Sequence, residues 1–281
     1  MQPACRWHHM CLLASMSTFS LITFNCFGVP GPVTHLRLRA LAQQLDAVGP
    51  DVVCLQEVQV WPYHRLLRAA CAPHFPHSAS APHIHAPRGG LLSLAQQPIG
   101  GHSFIPYRDR GLWYSPALAD VALSKGILRT EHWCGAQRVV VLNTHLSANY
   151  RGDWQSENPY LQTERRQLEQ LAEVMRHQPE DALVVACGDF NVPRGTALYD
   201  EFVQASGALD PLAHDQRPSY RPLPGIPARF ALPIDYTFVR APALPGLAVQ
   251  SDLCFGERVQ LGRGMGFLSD HIGVRLDVRW G

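Results

Sequence analysis

Six apolar runs carry side chains able to do chemistry, each read here as a strand with those groups at its exit. They are Asn25 with residues 19–24, Glu57 with 51–55, Asn143 and His145 with 138–142, Asp189 and Asn191 with 182–187, Asp235 with 234–239, and Asp270 and His271 with 272–278. Carboxylates and amide oxygens suit a hard cation such as Mg²⁺, which takes oxygen ligands and retains waters that can enter a reaction. An imidazole beside such an ion can act as acid or base near neutral pH. Any one Asp, Asn or His after a strand is ordinarily a turn or cap residue. Six in one chain are expected to converge on one rim.

The elements that must position these groups follow from periodicity. Residues 19–24 read as a strand, stopped by Asn25 and a loop holding Gly28, Pro30, Gly31 and Pro32. Val33, Leu36, Ala40, Leu41, Leu45 and Val48 repeat at helical intervals, and Gly49 with Pro50 ends that helix. The β-branched run 51–55 reads as a buried strand. An amphipathic helix is predicted over 160–177, where Leu161, Leu168, Leu171 and Met175 share a face. Residues 72–90 and 217–233, both rich in Pro, read as surface loops flanking core elements. Strand, helix, strand implies layered α/β architecture, and neither a repeat nor a linker divides the chain.

Composition bounds the partners. The chain has 281 residues, 46% hydrophobic and 17% charged, with 24 basic against 23 acidic side chains and a net charge of +1. Such a chain is neither disordered nor a coiled coil. Near-zero charge argues against a general polyanion binder, whose affinity rests on Lys and Arg, and leaves room for a local basic groove. Eight scattered cysteines without a Cys-x-x-Cys pair read as reduced thiols. Residues 7–36 lack charged side chains, but interrupting Ser, Thr and Asn residues speak against a spanning helix. Residues 1–18 are read as an N-terminal tail or leader and 19–281 as one catalytic domain. A cytoplasmic location is expected, with secretion by an N-terminal leader as the other option.

Taken in order, Thr23-Phe-Asn25, Leu55-Gln-Glu57, Asn143-Thr-His145-Leu146, Gly188-Asp-Phe-Asn191, Ile234-Asp-Tyr236 and Ser269-Asp-His271 resemble the motifs of the endonuclease/exonuclease/phosphatase superfamily, the DNase I-like proteins, over nearly the whole chain. The resemblance implies a four-layer α/β sandwich, two packed mixed sheets flanked by helices, and Mg²⁺-dependent hydrolysis of phosphate esters, with Mn²⁺ as a substitute. It makes Glu57 the principal metal ligand, with Asn25 near metal and phosphate and Asp270 supporting the metal side. Asp189 would orient or deprotonate the attacking water, and Asn191 would hold a phosphate oxygen. His271 would serve as base or charge stabiliser, with Asp235 fixing its tautomer. His145 would sit at the leaving-group oxygen.

Thr23-Phe-Asn-Cys-Phe-Gly-Val-Pro30, Gly89-Gly-Leu-Leu, Gln97-Pro-Ile99 and Lys125-Gly126 further resemble the neutral sphingomyelinase-like branch, and Asp120 with Lys125 has the spacing of a switch pair found in some of its members. The resemblance thus implies a phosphodiesterase, expected as a monomer, with a lipid phosphate ester as substrate and transient contact with a membrane interface. A nuclease of the same superfamily and a catalytically silent binding domain are the alternatives; the second would require loss of Glu57, Asp189 or His271. Asn143 and Ser269 are expected to brace loops. His74, His77, His83 and His85 fit no compact zinc spacing and read as a surface loop. Trp61, Trp113 and Trp154 either pack in the core or line a substrate entrance.

Overall fold

The structure, a computed structural model, describes residues 16–112 and 123–281; Asp120 and Trp113 lie outside them. Its first sheet has the order β10-β13-β1-β2-β4-β3, formed by β10 (Ala248–Cys254), β13 (Gly273–Trp280), β1 (Ser17–Asn25), β2 (Val52–Gln56), β4 (Leu92–Ala95) and β3 (His77–Ala79). A second sheet, β5-β6-β7-β8-β9, comprises β5 (Gly101–Pro106), β6 (Gly126–Cys134), β7 (Gln137–His145), β8 (Leu183–Asp189) and β9 (Asp235–Arg240). A hairpin of β11 (Val259–Leu261) and β12 (Gly264–Gly266) stands apart. Helices α1 (Thr34–Val48) and α2 (Trp61–Cys71) serve the first sheet, α3 (Pro159–Arg176) and α4 (Ala197–Ser206) the second.

Alternation of side chains explains the four layers. In β1, Phe19 and Leu21 enter the core between the sheets, while Ile22 and Phe24 pack beneath Leu38, Leu41 and Leu45 of α1. In β8, Leu183, Val185 and Cys187 face the inter-sheet core, and Val184 and Ala186 meet Leu168, Leu171 and Met175 of α3. Strands buried on both faces therefore read as continuous apolar runs. Helix ends follow local chemistry: Gly49 takes a left-handed conformation and returns its N–H to Leu45 O, and the Asn158 side chain accepts from the N–H groups of Tyr160 and Leu161 ahead of α3.

The expected four-layer sandwich is thus present, with corrections. Residues 72–90 contain β3 and a 3₁₀ turn at Arg88–Gly90 as well as loop. Strands β5, β6 and β10 and helices α2 and α4 had no counterpart in the sequence reading. Asn143 to His145 form the last residues of β7 and are paired with β8, rather than following the strand. The strand β1 begins at Ser17, paired with Trp280.

Candidate active site

The six groups do meet on one rim, though two arrive differently from expectation. Asn25, Glu57, His145 and Asp189 sit at or just past strand ends, whereas Asp235 opens β9 and Asp270 with His271 precede β13. Both of those strands run antiparallel to a neighbour, β9 to β8 and β13 to β1. Their starts consequently lie at the same edge as the neighbours' ends.

Asn25 is the hub. Its buried amide donates to Glu57 Oε1 at 3.1 Å and Asp189 Oδ2 at 2.9 Å and lies 3.4 Å from His271 Nε2. Its Oδ1 accepts from Phe27 N–H at 3.0 Å, so Asn25 presents donors to the site in this arrangement. His271 Nδ1 is 2.9 Å from Asp235 Oδ2, and its Nε2 is 3.5 Å from Asp189 Oδ2. His145 Nε2 approaches the same Asp189 oxygen at 3.4 Å. Asn191 spends one amide N–H on Leu146 O at 2.9 Å and takes its backbone N–H to Asp189 Oδ1.

Local backbone aims these groups. Glu57 and Asn191 hold φ of +57° and +54°, left-handed conformations costly for residues with a Cβ and retained where structure over-determines them. At Glu57 the neighbours do so: Gly28 N–H bonds its carbonyl, and Val58 N–H bonds Gly90 O. Gly188 has φ of +141°, and a Cβ there would stand 1.8 Å from Thr144 O. That close approach of β7 and β8 seats Asp189 beside His145. Across the sheets, Gln56 Nε2 donates to Asn143 Oδ1 at 2.8 Å, and Asn143 Nδ2 donates to Leu55 O and Leu92 O. Asn143 therefore braces two sheets, not a loop. Ser269 does brace a loop, accepting His271 N–H and donating to Asp270.

Electrostatics sort the groups into roles. Burial pushes Asp189 up to about 7, helped by Asp235 and opposed by His271. Burial would depress His271, but Asp235 and Asp189 outweigh it and raise the imidazole to about 10. His145 is held well below the usual imidazole range by burial, then by the Lys125 and His271 charges. Burial likewise raises Glu57 and Asp270. Three acids pushed up together, with Asp270 adding to the strain on Glu57, form an oxygen-rich set fitted to a hard cation. Asp189, Asp235 and His271 also offer ligand atoms within 4.8 Å of one another, but His271 Nδ1 is already committed to Asp235. The four loop histidines form no such cluster among the described residues: His77 lies in β3, His74 pairs with Asp46, and the carbonyl of His83 accepts from Trp61 Nε1.

A cavity of about 490 Å³ opens over this floor. It is lined by Glu57, His145, Asp189, Asn191, Asp270 and His271, and also by groups the sequence reading had not placed there: Asn149, Tyr150, Tyr220, Leu223, Ile226 and Phe230. Trp154 lines it too, which decides that residue's alternative, while Trp61 braces the loop beside α2. Lys125, the sole lysine, lines the cavity and donates to Leu146 O at 2.6 Å. The Tyr220 ring sits 5.1 Å from the His271 ring. Tyr220, Leu223, Ile226 and Phe230 carry no local motif; the Pro-rich segment 217–233 was their one signal.

Two sheets that deliver an Asp–His–Asp arrangement and an acidic pocket to a common rim define a phosphoester hydrolase of the sandwich type. The chain belongs to the Endonuclease/Exonuclease/phosphatase family, whose model matches residues 22–271. A Drosophila melanogaster protein bearing a provisional neutral sphingomyelinase name is 28% identical over 193 residues, covering 68% of this chain and 43% of that relative. The chain thus spans less than half of that relative's length. Among solved structures, Streptomyces griseocarneus sphingomyelinase C matches with a TM-score of 0.71 at 20% identity over 92% of this chain and 99% of that one. TDP2 from D. rerio with a single-strand DNA product matches at 0.70 and 19% identity, over 93% and 99%. Both likenesses establish the fold. Among the described residues no helix is long and apolar enough to cross a membrane.

Proposed function

We propose that the chain is a Mg²⁺-dependent phosphodiesterase whose substrate is a phospholipid of the sphingomyelin type. The observation that carries this reading is one cavity in which an Asp–His–Asp floor meets a wall of Leu223, Ile226, Phe230, Leu232 and Ile234. Leu223 and Ile226 are 40% and 42% exposed, the placement expected for side chains that meet an aliphatic substrate. A nucleic acid would call for a track of Arg or Lys, and among the described residues Lys125 is the one Arg or Lys lining the cavity. The Drosophila relative's name points the same way.

Glu57, with Asp270 beside it, would hold the ion, which when bound offsets negative charge on the phosphate and acidifies nearby water. Asp189, poised near neutrality, orients and deprotonates the attacking water. The remaining amide N–H of Asn191 donates to a phosphate oxygen, and Asn25, its two amide N–H groups on Glu57 and Asp189, holds those carboxylates beside the phosphate. His271, kept cationic by Asp235, stabilises the charge that develops on phosphorus oxygens. His145 faces the leaving oxygen as a neutral imidazole and hydrogen-bond donor, given its depressed pKa.

The test is hydrolysis by purified protein, with Mg²⁺, Mn²⁺ or EDTA, of sphingomyelin micelles alongside single- and double-stranded DNA and RNA. Metal-dependent release of a phosphorylated head group with inert nucleic acids is expected. Cleavage of nucleic acid with inert lipid would move the chain to the nuclease branch and keep the floor assignments.

A further inference from the structure

Behind the His145 side of the cavity lies a carboxylate that this chemistry does not use. Glu164, on the inner face of α3, is fully buried. Its Oε2 accepts from Asn149 Nδ2 at 3.4 Å, and the indole N–H of Trp154 is a second donor that acts to lower the same carboxyl. Glu164 Oε1 and Trp154 Nε1 both lack a partner at hydrogen-bond geometry. Burial pushes this carboxyl well above its usual range, while Asn149, Trp154 and the Lys125 charge pull it back. A buried acid facing two donors is costly and persists where the donors need it.

Both donors belong to one wall of the cleft. Asn149 organises a turn: its Oδ1 accepts from Arg151 N–H at 3.2 Å, its carbonyl from Gly152 N–H at 2.9 Å, and its Nδ2 also donates to Asp153 O at 3.1 Å. At Gly152, with φ of +64°, a Cβ would stand 2.3 Å from Phe230 Cε1, so the turn rests directly on the opposing Pro-rich loop. Asn149, Tyr150, Trp154 and Phe230 line the same cavity.

We infer that Glu164 is a positioning residue for this cleft: by holding Asn149 and Trp154 it fixes the turn at 149–154, and with it the wall that receives the part of the substrate beyond the scissile phosphate. The inference rests on the phosphodiesterase reading for its substrate and on the turn's geometry for its mechanism. A carboxylate offers an acceptor to each donor, whereas glutamine has one carbonyl oxygen and an NH₂. Whichever way the amide of Glu164→Gln is turned, an N–H confronts an N–H. Trp154→Phe removes one donor and lets the glutamine oxygen serve Asn149 alone.

The experiment compares the full chain, E164Q, W154F and the double variant. The readout is kcat/KM for sphingomyelin micelles relative to that for bis-p-nitrophenyl phosphate, a minimal diester. E164Q is expected to lower this ratio about tenfold through KM for the lipid, the order of one buried group left unsatisfied. In the W154F background the same substitution should cost about twofold or less. Amide hydrogen exchange across 149–154, without substrate, should quicken in E164Q and recover in the double variant. Equal losses on both substrates in both backgrounds, or exchange unchanged by E164Q, would overturn the inference. If the native chain hydrolyses neither diester, the phosphodiesterase reading fails alone, and the exchange data still decide whether Glu164 holds the turn.

Discussion

Two cavities of nearly equal volume open at opposite ends of the sandwich, about 490 Å³ over the rim of the candidate site and about 480 Å³ beside Phe19, Asp51, His132 and Trp133. At the far end, polar groups satisfy one another. Asp51 Oδ2 accepts from Ser20 N–H and Oγ–H at 2.7 and 2.8 Å, Cys134 Sγ donates to Thr18 O, and His132 Nε2 lies 2.9 Å from Thr130 Oγ1. At the rim, Asp235 Oδ1 and His145 Nδ1 are buried without partners, and carboxylates are crowded until their pKa values rise. Room alone does not make a site. What distinguishes the rim is that its uncommitted buried atoms belong to a carboxylate and an imidazole amid further crowded acids, at a cost in stability that the apolar layers on either side offset.

That contrast breaks most visibly at His271. Its replacement by Ala should reduce turnover by about 10³-fold or more while far-UV circular dichroism and Mg²⁺ binding stay near those of the native chain; activity within tenfold would remove its assigned role. Next comes Glu57→Gln, expected to shift the Mg²⁺ titration midpoint by at least the ~10–100-fold that loss of an outer-shell partner costs. An unchanged titration curve would take Glu57 out of the metal site. Smaller is the effect of replacing Leu223 and Ile226 together by Ser. KM for lipid micelles should rise about three- to tenfold, from lost apolar burial, with kcat for a soluble diester little changed.

The far end should give no effect on turnover at all, only on stability. Burial lowers His132 to about 4, below its value in the unfolded chain. The unfolded state then binds the proton first as pH falls. Stability attributable to neutral His132 is complete above about pH 6.5 and is lost progressively toward pH 4. His132→Gln should flatten that decline by about 1–2 kcal/mol between pH 7 and 5, read from urea midpoints; parallel slopes for variant and native chain would remove His132 as the cause.

How much of this was legible in the sequence follows the same division. Much of the floor was legible because Asn25, Glu57 and Asp189 each stand at or just past the end of a strand buried on both faces, so an uninterrupted apolar run marks their position. Strands such as β5 and β10, which hold no fully buried residue, lack that mark and were not recognised. Helix α2 hid because His64, Arg65 and Arg68 interrupt a short apolar face. The walls were illegible for another reason. Asn149, Trp154 and Phe230 come together through Glu164 and a Pro-rich loop, contacts across sequence separations that no local period encodes. Even on the floor, the direction of approach was misread for Asp235 and His271, since whether a strand begins or ends at the rim depends on its neighbour's direction.

The pairing of Ser17 with Trp280 has a consequence for how the chain is made. Strand β1 lies in the interior of its sheet, flanked by β2 on one side and β13 on the other. During synthesis the β2 edge can zip early, while the other edge must wait for a partner translated after nearly every other element. Until then β1 presents an unpaired, apolar edge of the kind that recruits foreign strands. The segment that finally covers it follows directly on His271, so the imidazole settles at the rim only as that edge closes. Hydrolytic competence and protection from aggregation should therefore arrive in the same step, slowly, as expected when a long loop must close before its contacts form.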